Sequence, residues 1–143
     1  PDIKLLDIIL STSSYTETNF SYTFNSEDIH EVNSSSKLND IIIDKAKAKN
    51  IDLKLGKTAC NLIFDPYMED KESYNKRLPK DVIASEMEAF ALFYIANKLR
   101  KQASCLLTVS DSVYENKQIS TSERQNNLKE MIELGLESCL EVE

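Results

Sequence analysis

Two glycines, Gly56 and Gly135, are all that the 143 residues contain, and neither stands in a run that would wrap backbone amides around a phosphate. The one histidine, His30, lies in a polar stretch with no cysteine or histidine beside it, so no histidine-rich metal cluster is written here. It reads as an exposed loop residue. Three cysteines, Cys60, Cys105 and Cys139, are odd in number and show no C-x-x-C spacing, which argues against a disulfide framework or a zinc ribbon. They read as buried free thiols in a reducing, cytoplasmic setting. Basic residues number 17 against 24 acidic ones, for a net charge of −7, and they are scattered. Without a basic stripe to offset backbone phosphates, nucleic acid is not an expected partner. Apolar stretches such as Ile41 to Ile43 and Ala89 to Ala96 fall far short of a bilayer's thickness, so no membrane partner is expected either. The chain opens on Pro1 with no charged-then-apolar leader behind it, and its numbering reads as starting at a cleavage or inside a longer chain.

What is present suits a globular protein: 41% hydrophobic and 29% charged residues, at a length that supports one core. The expectation is a single domain over residues 1–143. Ile3 to Leu10 reads as a strand buried on both faces and ended by Ser11 to Ser14. Phe20, Tyr22 and Phe24 alternate and predict an extended or hairpin segment, and Asp28 to Ser36 a loop. Lys37 to Lys49 reads as a helix with Ser36 as its cap, and Ile51 to Phe64 as a strand. Asp65 to Asp81 reads as a short helix with loops, Val82 to Ala84 as a strand, Met87 to Arg100 as a helix and Ala103 to Val109 as a strand. Glu123 to Leu140 closes the chain as one helix with Leu128, Met131, Ile132, Leu136, Cys139 and Leu140 on one stripe. Ser120 and Glu123 stand at capping-box spacing at its start. Strands alternating with helices at these lengths make an α/β fold with a mixed central sheet flanked by helices.

Three places carry candidate chemistry. At Ser85-Glu86-Met87-Glu88-Ala89 a strand gives way to a helix. Acids there commonly do no more than offset the helix dipole. The functional alternative is that a carboxylate at a strand's carboxyl end faces the ligand crevice of an open α/β sheet and accepts hydrogen bonds from sugar hydroxyls, with methionine against the sugar's apolar face. At Thr108-Val109-Ser110-Asp111 an apolar strand runs into an acid. Asp111 either begins a turn or gives a proton to a leaving group. A purine leaving a ribose gathers negative charge in its imidazole ring, and an acid aimed at N7 relieves it. Ser122-Glu123-Arg124-Gln125 opens the last helix. Arg124 is there either a solvated first-turn residue or a partner of Asp111 that orients it and steadies its carboxylate once the proton has left. The functional readings together require Glu88 and Asp111 to face one cleft.

In order and spacing these pieces resemble the hexameric, bacterial-type purine nucleoside phosphorylases of the nucleoside phosphorylase/hydrolase superfamily. Glu86-Met87-Glu88-Ala89 is similar to the family's E-M-E-A signature, Thr108-Val109-Ser110-Asp111 to its T-V-S-D strand end, and Ser122-Glu123-Arg124-Gln125 to its A-E-R-Q helix. The likeness is strong from about Val82 to Leu140 and traceable upstream, where Pro1 to Asp7 resembles the segment after the family's phosphate-binding glycine loop. It implies a phosphorylase/hydrolase-like fold of which this chain is the carboxy-terminal part, without the amino-terminal portion. It implies that Glu88 accepts the ribose hydroxyls with Met87 and Glu86 lining the pocket, that Asp111 protonates the purine with Ser110 beside it, and that Arg124 assists Asp111. The implied reaction is reversible phosphorolysis of purine (deoxy)nucleosides to free base and (deoxy)ribose 1-phosphate, with inorganic phosphate as co-substrate and no metal or organic cofactor. The implied assembly is a hexamer built as a trimer of dimers.

The family's phosphate-holding arginines and glycine loop are not among these residues, so the chain by itself is expected to be inactive. Two other readings stand beside the enzyme: a catalytically silent remnant that serves as a binding or oligomerisation module, and a sister enzyme that hydrolyses nucleosides.

Overall fold

The computed structural model describes residues 3–64, 67–112 and 117–142. Pro1-Asp2, at the head of the upstream resemblance, and Asp65-Pro66, at the head of the stretch expected to hold a short helix, lie outside the described residues. The first strand, β1, spans Ile8–Tyr15 rather than Ile3 to Leu10. Its start is delayed because Asp7 closes a turn: its carboxylate accepts from the Lys4 amide at 2.8 Å, its own amide donates to the Lys4 carbonyl at 3.2 Å, and Leu6 takes φ 70°. Its end is extended because the serines do not stop it. Ser11, Ser13 and Ser14 are all buried, and among the described residues no buried side-chain polar atom lacks a hydrogen bond. A polar run enters a core when each hydroxyl has a partner.

Four more strands complete the main sheet: β2 (Glu31–Asn33), β3 (Leu53–Cys60), β4 (Val82–Glu86) and β5 (Cys105–Thr108). The order is β2-β1-β3-β4, with β5 sharing β2's side of β1. β3 is parallel to β1, and β4 to β3. On the far side, β2 runs antiparallel against Ser13 to Tyr15 and β5 antiparallel against Ile8 to Ser11. The sheet is therefore mixed, as expected, with β4 at one margin and β2 and β5 at the other. β2 lies inside the stretch expected to be loop; three residues are too few to leave a periodic trace.

The helices are α1 (Phe20–Asn25), α2 (Ser36–Ala48), α3 (Lys71–Arg77), α4 (Ala89–Lys98), α5 (Thr121–Asn126) and α6 (Lys129–Cys139). α1 replaces the expected hairpin. Phe20 and Phe24 are an i,i+4 pair, stacked at 6.2 Å, and both rings meet Tyr94 edge-on. The same spacing that suggested alternation serves one helical turn, closed by Ser26 in the left-handed region. α2 is capped by Ser35, one residue earlier than expected, whose hydroxyl accepts from the Leu38 amide at 3.3 Å. The closing helix breaks in two at Asn127 and Leu128. The face of α6 that packs inward carries Leu134 and Ser138, so Ile132, Leu136 and Leu140 from the expected stripe are exposed.

Leu10, Ile42, Ala46 and Leu134 form a core where α2 and α6 meet β1 and β5, with Leu53 and Leu106 packed against it. Burying a side chain of this size contributes roughly 1.5–3 kcal/mol. α4 lies across β1, β2 and β3 and buries Phe90, Phe93 and Tyr94. It starts where the Phe90 amide meets the Cys60 thiol at the end of β3, and it ends where Asn97 Nδ2 donates to the Asn33 carbonyl on β2 at 3.2 Å. The chain is thus carried across the sheet and enters β5 at the level of Ser11, which is why β5 runs against β1.

Gly56 lets β3 and β4 approach: a Cβ there would lie 2.5 Å from Ile83 Cδ1 and 2.9 Å from Cγ1. We expect Gly56→Ala to cost about 1–3 kcal/mol in urea unfolding. Adding Ile83→Ala, which removes the colliding carbons, is expected to cost less than the two single changes summed.

Candidate active site

The first group of expected residues gathers at the carboxyl end of β4. Glu86 belongs to the strand, not to the helix that follows, and its carboxylate is fully engaged. Oε1 accepts from Ser14 Oγ at 3.1 Å and Thr58 Oγ1 at 3.2 Å. Oε2 accepts from the amides of Glu88 at 2.7 Å and Ala89 at 2.5 Å. Glu88 occupies the N-cap position of α4 without capping it through its side chain. Its Oε2 accepts only a long bond, 3.3 Å, from the Met87 amide, and the residue is exposed. Met87 is also exposed, as are Leu62, Ile63, Phe64 and Tyr67 beyond the end of β3. Sequence reasoning passed over Ser14 and Thr58, the sheet residues that hold Glu86, because a buried hydroxyl carries no signal until its partner is known.

The second group gathers beyond β5. Arg124 Nη2 donates to Asp111 Oδ1 at 2.9 Å and Oδ2 at 3.2 Å, and Ser110 Oγ donates to the same Oδ2. One guanidinium nitrogen serves both oxygens, and both side chains are about half exposed, so the pair contributes at most about 1 kcal/mol. Asp111 stands in a two-stranded ribbon, β6 (Asp111–Ser112) with β7 (Lys117–Gln118), and the amide of buried Ile119 donates to the Ser110 carbonyl at 2.9 Å. Arg124 is aimed by α5. That helix begins with a complete capping box: the Glu123 amide donates to Ser120 Oγ at 3.2 Å and the Ser120 amide to Glu123 Oε2 at 2.7 Å.

The two groups are not brought together in one cleft as expected. Glu86 sits at the level of Ser14, whereas β5 pairs Thr108 with Ile8 and carries Asp111 three residues further on. The groups therefore stand at opposite ends of β1, roughly 20 Å apart measured along that strand. The cause is the antiparallel direction of β5, since a parallel strand would have ended beside β4. Among the described residues no hydrogen bond or ion pair links them. Two shallow hollows lie elsewhere, one of about 470 Å³ beside Gly56, Lys57 and Asp81 and one of about 500 Å³ beside Leu6, Ile51 and Asn127. Neither is lined by Glu86, Met87, Glu88, Ser110, Asp111 or Arg124.

Two thiols lie within reach of the Glu86 charge. Burial, and then the Glu86 carboxylate, push the thiols of Cys60 and Cys105 up to about 11. Cys139, expected to be buried, is exposed because it falls on the outer side of α6. No group of three or more histidine, cysteine, aspartate or glutamate side chains able to hold a metal ion occurs among the described residues.

We expect iodoacetamide at pH 8 to label Cys139 well before Cys60 or Cys105, since the thiolate is the reactive form; peptide mapping of the alkylated protein checks the order. Ser120→Ala removes the cap of α5 at a cost on the order of 1 kcal/mol and is expected to speed hydrogen exchange at the Glu123 amide. Glu123 is held below its ordinary 4.5 by the Ser120 amide and hydroxyl. A lowered carboxyl stabilises the box above that ordinary value and loses the effect as pH falls through the folded one. An acid titration followed by NMR should accordingly show the Ser120 and Glu123 amides shifting below about pH 4.5.

The profile of the Phosphorylase superfamily matches residues 1–140. A protein from Brevibacillus brevis named "Purine nucleoside phosphorylase DeoD-type" is 33% identical over 97% of this chain, and one of the same name from Caldanaerobacter subterraneus subsp. tengcongensis is 34% identical over 96%. The chain spans 58% of the length of these curated relatives. Among solved structures, a Campylobacter jejuni 5'-methylthioadenosine/S-adenosyl homocysteine nucleosidase superposes with TM-score 0.78 at 18% identity, covering 99% of this chain and 64% of that one. A Toxoplasma gondii purine nucleoside phosphorylase in complex with immucillin-H superposes with TM-score 0.77 at 17% identity, covering 96% and 56%. At such identities these likenesses speak to the fold alone, which is that of phosphorylases and nucleosidases. Among the described residues no helix is long and apolar enough to cross a membrane. By sequence and by fold, the chain belongs to the phosphorylase superfamily.

Proposed function

We propose that the protein carrying this chain catalyses the reversible phosphorolysis of purine (deoxy)nucleosides, giving free base and (deoxy)ribose 1-phosphate. In this reading it is a cytoplasmic enzyme that works as a trimer of dimers without metal or organic cofactor, and these residues supply the base and sugar half of its site. The observation that carries the reading is Asp111 held by Arg124 and Ser110 at the head of a capped helix. A carboxylic acid at this place can give a proton to purine N7 as the glycosidic bond breaks. Arg124 then faces the carboxylate left behind. Glu88 adds support, since most of its acceptor capacity is uncommitted and a sugar's vicinal hydroxyls would use it. The reading requires the full-length protein to bring Asp111 to the Glu88 end of β1, since here the two stand at opposite ends of that strand. The DeoD-type relatives, matched over nearly the whole chain, favour phosphorolysis over the alternatives.

Neither glycine adopts a positive φ, and both sit inside regular elements, Gly56 in β3 and Gly135 in α6. A phosphate nucleophile needs amide and arginine donors from elsewhere. The 143 residues alone are therefore expected to give no turnover. The silent-module reading draws on the separation of the two acid groups along β1.

Release of hypoxanthine from inosine, or adenine from adenosine, by the full-length protein with and without inorganic phosphate decides among the three. Phosphorolysis predicts release only with phosphate, a hydrolase releases base without it, and a silent module releases none. Asp111→Asn is expected to lower kcat by about 10²–10⁴-fold and Arg124→Ala by less. A normal rate in both variants would remove the pair from the mechanism.

A further inference from the structure

We infer that Glu86 is a positioning residue for Glu88: its carboxylate, fixed from below by the sheet, serves as the missing cap of α4 and so sets where the sugar-facing acid stands. This rests on the sugar-binding reading of Glu88 given above. α4 is a ten-residue helix whose N-cap side chain accepts from none of the helix's own amides, its one bond being the long one from Met87 before the helix. A helix leaves its first amides without partners in the chain, and some acceptor must take them. Here Glu86, two residues before the N-cap, takes the Glu88 and Ala89 amides on one oxygen. Its other oxygen is held by Ser14 on β1 and Thr58 on β3, both completely buried. Four donors therefore fill the four lone-pair sites of the carboxylate. No acceptor capacity remains for a ligand, so Glu86 acts through its neighbour.

Two strands thus fix a carboxylate, and the carboxylate fixes the backbone of Glu88, whose own side chain is left nearly free. Glutamine at position 86 cannot reproduce this. It offers one acceptor oxygen and one amino group, and the amino group would face either two hydroxyl donors or two amide donors.

The test uses the full-length protein and two readouts. Amide hydrogen exchange compares Glu86→Gln with the parent; loss of protection at Glu88 and Ala89, with β3 unchanged, is expected, and retained protection overturns the inference. Kinetics then compare inosine with 2',3'-dideoxyinosine, which lacks the hydroxyls Glu88 would accept. Glu86→Gln is expected to lower kcat/KM for inosine about tenfold and for the dideoxy substrate less than about twofold. Glu88→Ala should give the same selective loss, and the double variant no more than the larger single one. Equal losses on both substrates, or additive losses, overturn the positioning role. If Glu88→Ala itself leaves the preference intact, the sugar-binding reading fails and the positioning role falls with it, whereas a normal response to Glu88→Ala with none to Glu86→Gln sinks this inference alone. Should Glu86→Gln not fold, Ser14→Ala loosens the same carboxylate and is judged by the same ratio.

Discussion

The arrangement around α4 depends on burying hydroxyls in β1 and β3 without stranding any of them. Thr58 has one proton, and the carboxylate of Glu86 claims it at 3.2 Å. Ser11 Oγ lies 2.9 Å from the same Thr58 oxygen and also donates to the Ser13 carbonyl at 3.1 Å, so two hydroxyl protons are shared among three contacts. The result is a hydrogen-bonded chain of Ser11, Thr58 and Glu86 that crosses from the middle strand outward and ends at the first amides of a helix. Each member is satisfied only while β1, β3 and β4 keep their register. A slip of one residue would take Ser14 and Thr58 away from a half-buried carboxylate oxygen, at a cost of about 1–3 kcal/mol. Register in this sheet is thus enforced by polar groups where hydrophobic alternation is weak.

The mixed α/β layout was legible from alternating apolar runs, and the capping box from Ser120 and Glu123. The meeting of Asp111 with Arg124 followed from an acid at a strand end and a base in the next helix's first turn. What was not legible is instructive. Serines read as the end of a strand because isolated serines favour turns, yet here they continue β1 by bonding across to Thr58 and Glu86. Phe20, Tyr22 and Phe24 satisfy both a period of two and a single helical turn, and the contact with Tyr94 decides between them. The direction of β5 left no local trace at all. It depends on α4 crossing from the end of β3 to Asn33 on β2, a path that only tertiary packing reveals, and that crossing separates the two acidic groups.

Charge is managed in a similar spirit. Lys57 on β3, only 13% exposed, reaches Glu31 on β2 at 2.9 Å and Asp81 before β4 at 3.0 Å. Its ammonium is drawn upward, most by the bond to Glu31, and the single cation ties elements on both sides of the centre of the sheet. Lys45 and Lys49 likewise join α2 to Glu141 and Glu137 at the end of α6. In a chain with net charge −7 such contacts matter more for placing negative charge than for stability.

The margins of the sheet have a practical consequence. β4 and β5 each pair on one side only among the described residues, and β5 is a half-buried run of Cys105, Leu106, Leu107 and Thr108. Unsatisfied backbone donors and acceptors beside such a sequence are a template for another strand. Produced in isolation, these residues should therefore be troublesome to keep in solution at high concentration, sticking edge to edge before they unfold. The remedy lies in whatever polypeptide lies against that margin, not in the interior of the sheet.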